Sequence, residues 1–181
     1  MNIEKRLLSK NEFSRPGLYL KPVKGIVIHW IGNPGTSAIA NRNYFESLKN
    51  QPPGKKPSEY TFASAHFIIG LRGEIIQCLL EDEVAYHVGA IRYTDLALEK
   101  LSDYPNNCTL GIELCHPSWE GNFFDDTLES ARELILELSK RYKLKRDNIY
   151  RHYDITEKEC PRYFVRNKNE WENFLVNVFK S

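Results

Sequence analysis

The chain has 181 residues, with 25 Lys and Arg against 24 Asp and Glu and a formal net charge of +1. A balance so close to neutral gives no field to draw the protein onto nucleic acid or an acidic membrane surface. Three Trp, ten Tyr and nine Phe are too many for a chain that stays disordered. No apolar run approaches the roughly 20 residues that span a bilayer, and Met1–Gly17 has no apolar core of the kind a signal peptide needs. The length suits one domain covering residues 1–181.

In chain order, Lys24–Trp30 reads as a short buried strand, a β-branched run bounded by Gly25 and Gly32. Ser37–Asn50 carries a weak helical pattern through Ile39, Tyr44, Phe45 and Leu48. Asn50–Ser58 contains Pro52, Pro53 and Pro57 and is expected to be an exposed loop. Ala65–Ile69 and Glu74–Leu80 read as strands joined in a hairpin across Gly70–Gly73. Residues 81–107 look rich in loops, and Cys108–Cys115 is the next strand. Asp126–Tyr142 is the clearest helix: Leu128, Ala131, Leu134, Ile135, Leu138 and Tyr142 fall on one face. Asp126 and Glu129 resemble a capping box at its start. Asn148–Tyr153 is a further short strand and Glu170–Phe179 a closing helix. Strands alternating with helices, with no internal repeat, predict an α/β single domain with a central mixed β-sheet flanked by helices.

The chemistry concentrates in a few side chains. Four cysteines are too sparse for a disulfide framework, and Cys78, Cys108 and Cys115 sit among apolar neighbours as buried thiols do. Cys160 lies instead in the polar segment Thr156–Arg162, where packing asks for no thiol. His29 stands at the end of the first predicted strand and His152 ends a later one, eight residues before Cys160. Two imidazoles and a thiolate suit zinc, and three protein ligands leave a fourth position open, as in catalytic zinc sites. Spacing alone is a sparse signal, because no compact HExxH or CxxC pair accompanies it.

IVIHW (26–30), SAHFII (64–69), LGIELCH (110–116) and RHYDITEKECPR (151–162) occur in that order. Together they resemble the zinc-dependent N-acetylmuramoyl-L-alanine amidases of the phage-lysozyme and peptidoglycan-recognition-protein type, from about Lys24 to Trp171. The resemblance implies Zn2+ held by His29, His152 and Cys160, with Glu113 and Lys158 as catalytic residues. In that chemistry zinc activates water and polarises the amide carbonyl. A carboxylate moves the proton, and a cation offsets the oxyanion. The implied bond joins the lactyl group of N-acetylmuramic acid to L-alanine of the peptidoglycan stem.

One departure marks the branch. The tyrosine that precedes the histidine of the HFII strand in the phage-lysozyme and animal-receptor branches is Ala65 here, which places the chain nearer the endolysin branch that uses a strand glutamate. Tyr60 and Tyr86 are the other phenols that can approach the metal. His87 is a candidate substrate contact in the cleft and so, more weakly, is His66; a hydrogen-bonded structural imidazole is the competing reading for each.

The expected protein is a single amidase catalytic domain with no wall-binding domain, acting on peptidoglycan. Neither nucleic-acid binding nor membrane insertion is expected. Without a signal peptide it would accumulate in the cytoplasm and reach the wall after release, as a phage or prophage endolysin does. The alternatives are a cytosolic amidase of soluble muropeptides in wall recycling, or a peptidoglycan-binding module without catalysis. The presence of Cys160 favours an enzyme, because non-catalytic relatives typically lose that ligand.

Overall fold

The computed structural model describes residues 1–180. Its strands are β1 (Ile3–Lys5), β2 (Gly25–Trp30), β3 (Phe67–Ile69), β4 (Ile75–Gln77), β5 (Thr109–Leu114) and β6 (Ile149–Arg151). They form one sheet in the order β1-β4-β3-β5-β2-β6. Only β3 and β4 pair antiparallel; the other neighbours are parallel, so the sheet is mixed. Helices α1 (Ala38–Ser47), α2 (Asp95–Lys100), α3 (Asp125–Tyr142), α4 (His152–Thr156), α5 (Arg162–Arg166) and α6 (Lys168–Phe179) cover it.

The two central strands, β2 and β5, pair over their whole length, and their apolar runs are buried on both faces as parallel strands in α/β sheets are. On one face Ile26, Ile28, Leu110, Ile112 and Leu114 pack against Leu134, Ile135 and Leu138 of α3 and Phe174 and Leu175 of α6. The other face is covered in two pieces. Ile68 and Ile76 lie under Ala38 and Phe45 of α1, while Val27 and Tyr150 lie under Ala97 and Ile155 from α2 and α4. Between those pieces the C-terminal ends of β2 and β5 open to a cleft, the position where open parallel sheets present ligands.

Several boundaries differ from the sequence reading for identifiable reasons. β1 comes from a polar lead-in and is an edge strand beside β4, so burial on one side alone leaves little periodicity to read. α2 arises inside the segment read as loop; Thr94 caps it by accepting the Ala97 N–H, and six residues are too few to show a face. α3 begins at Asp125, so Asp126 lies within the first turn and the expected capping box does not form. β6 stops at Arg151, because the Asp154 carboxylate accepts the Arg151 N–H at 2.8 Å and turns the chain into α4.

Candidate metal centre and active site

His29 and Glu113 are register partners on adjacent parallel strands, so their side chains leave the sheet on the same face. Ile28 and Ile112, one residue earlier on each strand, enter the core on the opposite face. The third and fourth groups arrive through a tight connection. His152 opens α4, where Arg151 and Asp154 form a half-buried ion pair at 2.6 Å and Arg151 also donates to the Phe164 carbonyl. Glu157 takes a left-handed conformation (φ 63°), and the Tyr153 N–H donates to the Cys160 carbonyl. That fold-back returns Cys160 to the imidazole it left eight residues earlier.

The result is a buried three-donor cluster. His29 Nδ1 lies 3.0 Å from His152 Nδ1 and 3.8 Å from Cys160 Sγ. The candidate ligand atoms of all three side chains fall within 4.8 Å of one another. A tetrahedral zinc with bonds of about 2.0 Å to nitrogen and 2.3 Å to sulfur needs donor separations of roughly 3.3–3.6 Å, so the spacing fits with small adjustments.

The electrostatics fit as well. Burial, aided by the neighbouring charges of His152, His87 and Lys158, holds the His29 pKa well below its usual range. Burial and then Lys158 lower that of His152 to about 3. Both rings are therefore neutral at physiological pH, the state in which imidazole ligates a metal. Burial, with Glu113 nearby, pushes the Cys160 thiol up, so only a bound cation would make it a thiolate there.

Glu113 stands beside this cluster with its Oε2 buried and without a hydrogen-bond partner. Burial raises its pKa to about 8 against the opposing charge of Lys158. An unpartnered buried carboxylate oxygen in a cleft is an acceptor awaiting a proton or a ligand. Lys158 is exposed and lines the same cleft, its charge felt by His29, His152 and Glu113.

The cleft measures about 820 Å³, and its lining includes Trp30, Tyr44, Phe62, Tyr86, Trp119 and Arg162. The Arg162 guanidinium lies 4.6 Å from the Trp30 ring centroid, and Trp119 stands edge-on to Trp30. Tyr44, Phe62 and Trp119 keep about half of their surface exposed, so they offer apolar faces to a bound chain. Aromatic residues dispersed through the sequence carry no spacing signal, and none of these three was legible as a cleft residue.

Residues 19–163 match the Amidase_2 family, described as N-acetylmuramoyl-L-alanine amidase. The chain belongs to this amidase family. A probable N-acetylmuramoyl-L-alanine amidase of Bacillus licheniformis is 38% identical over 168 residues, covering 93% of this chain and 44% of the relative. The amidase CwlL of the same species is 33% identical over 178 residues, covering 98% of this chain and 47% of the relative. The chain thus spans just under half the length of these curated relatives. Among solved structures, PlyL superposes with a TM-score of 0.74 at 20% identity, covering 99% of this chain and 98% of that one. A mutant endolysin from Bacillus subtilis gives 0.72 at 24% identity, with 98% of each chain covered. These likenesses establish the amidase fold.

Within that fold the sequence-nominated residues separate into two groups. His29, His152, Cys160, Glu113, Lys158 and His87 all line the cleft. His66 does not. It is fully buried, its Nε2 donates to the Glu83 carbonyl at 2.8 Å and its Nδ1 accepts the Gly111 N–H at 3.0 Å. The expectation of a substrate contact at His66 is therefore corrected: both nitrogens tie strand β5 to the loop before α2. Of the two phenols, Tyr86 faces the cleft. The Tyr60 hydroxyl accepts the Lys55 N–H and its ring stacks on Phe13. Ala65 is fully buried beneath α1.

Proposed function

We propose that this protein hydrolyses the amide between N-acetylmuramic acid and L-alanine of peptidoglycan, using zinc held by His29, His152 and Cys160. The observation that carries the reading is the buried His-His-Cys cluster opening onto a cleft beside an unpartnered carboxylate. Bound zinc supplies the Lewis acidity that an unreactive amide and a weakly nucleophilic water both require. Glu113, on the strand paired with that of His29, accepts the proton of the attacking water and returns it to the leaving amine of alanine. Burial raises the Glu113 pKa, which favours holding the accepted proton until the leaving amine takes it. Lys158 places a cation at the cleft to offset charge on the carbonyl oxygen in the tetrahedral state. His87 lies within reach of the same space.

In this reading the substrate is the wall polymer itself, and the enzyme is bacteriolytic, accumulating inside the cell and acting on the wall after release. The exposed aromatic walls support an extended glycopeptide ligand. Mass spectrometry of digested sacculi tests the bond: free α-amino groups of alanine are expected, with no new reducing sugar ends. New reducing termini would show glycosidase chemistry and overturn the proposal.

A further inference from the structure

Cleft residue His87 does more than border the site. Its ring is almost fully buried and both of its nitrogens are engaged. Nδ1 lies 3.0 Å from His29 Nε2, while Nε2 lies 3.1 Å from Thr109 Oγ1 and 3.4 Å from the Thr109 carbonyl. The protons in this chain can be assigned from its far end. Thr109 Oγ1 donates to the Pro105 carbonyl at 2.8 Å, so toward His87 it accepts. His87 Nε2 therefore carries a proton and Nδ1 a lone pair. That lone pair faces His29 Nε2, which must be the protonated nitrogen of His29. His29 is left with its own lone pair on Nδ1, the atom directed at His152 and Cys160.

We infer that His87 is a positioning residue of the metal centre, whose Nδ1 accepts the His29 Nε2 proton and so fixes Nδ1 of His29 as the metal-ligating atom. The inference rests on the zinc reading above and assigns a role to a residue that touches no metal.

Two further features hold the ring in place. Asn106 is fully buried, and its side-chain oxygen accepts the N–H groups of both His87 and Val88, at 3.0 and 2.9 Å. Gly111 leaves the space the ring occupies: a Cβ there would come within 2.6 Å of His87 Cγ. Strand β5 thus supplies the proton anchor at Thr109 and the cradle at Gly111, and two residues on, Glu113 itself. Hydrogen bonds that fix the tautomer of a ligating histidine are commonly worth 10–100-fold in metal affinity.

Nitrogen-15 NMR of the histidine rings in zinc-loaded protein reads the assignment directly. His29 should show a metal-bound Nδ1 and protonated Nε2, and His87 an unprotonated Nδ1 and protonated Nε2. A proton on His87 Nδ1 overturns the inference. In chelator competition, His87→Phe should bind zinc about 10–100-fold more weakly. His87→Asn, whose amide oxygen can still accept, should recover most of that loss, and cobalt substituted for zinc should show an altered visible spectrum in the Phe variant alone. Unchanged zinc affinity in His87→Phe contradicts the role, and if its KM alone rises the residue belongs to substrate binding. Should His87→Phe fail to fold, the NMR of the unmodified protein decides. Wild-type protein that binds no zinc removes both this inference and the proposed function, whereas zinc binding with the opposite tautomer removes this one only.

Discussion

Glu113 shows how one strand serves two purposes. Thr109, Gly111 and Glu113 alternate with Leu110, Ile112 and Leu114, so the apolar set fills the core while on the other face Thr109 and Gly111 pack against His87 and Glu113 lines the cleft. Removing the proton acceptor while keeping its shape isolates its chemical role. Glu113→Gln should lower kcat by about 10²–10⁴ with zinc content unchanged, because a positioned base contributes about that much. Metal analysis alongside steady-state rates checks it; near-normal kcat with zinc bound would pass the role to another group, Tyr86 being the one of the phenols Tyr60 and Tyr86 that lines the cleft. His29, His152, Cys160 and Glu113, which the fold brings to one cleft, were legible through the motifs that carry the family resemblance. For His66 and His87 a buried, hydrogen-bonded imidazole was legible only as a competing reading. Their partners, Glu83 and Gly111 for one, His29 and Thr109 for the other, are brought to them by strand pairing and loop return, which single-chain spacing does not encode.

Among the elements, legibility follows length and amphipathicity. α3 spans eighteen residues with Ala131, Leu134, Ile135 and Leu138 on its buried stripe, and the sequence predicted it to within one residue. The short elements β1, α2, α4 and α5 are held by tertiary contacts and caps, and helices of five or six residues have no stability of their own to leave a pattern. The end of α3 carries a testable cost. Lys143 turns the chain in the left-handed region at φ 56°, and the following Leu144 N–H donates to the Ser139 carbonyl. A side chain in that conformation costs about 1–2 kcal/mol, and that of Lys143 is exposed. Lys143→Gly should stabilise the protein by about 0.5–1 kcal/mol after the added freedom of the unfolded chain is counted. Urea titration reads the difference; a destabilisation would mean the side chain contributes contacts that outweigh the strain.

For the molecule as a whole, the buried histidines set the response to acid. His29, His66, His87, His116 and His152 all have pKa values lowered first by burial, His66 to about 4 and His152 to about 3. Unfolded, each would titrate near 6.5, so between that pH and the folded values the unfolded chain binds more protons. Stability from these groups is thus present above about pH 6.5 and lost as pH falls. Glu113 has the opposite sign: raised to about 8, its contribution is full below its unfolded pKa and lost as pH rises through about 8. Five groups against one leave the histidines dominant, so metal-free protein should lose melting temperature steeply between pH 6.5 and 5. A flat profile there would mean the rings are solvated or charged in the fold. The central claim joins that cluster to catalysis, and one titration tests it most directly: release of N-terminal alanine from purified sacculi by chelator-stripped protein as zinc is added back. The account predicts no release at zero zinc and full recovery at one zinc per chain, with Cys160→Ser needing far more metal because a hydroxyl is a poorer ligand than a thiolate. Full release by metal-free protein would contradict it.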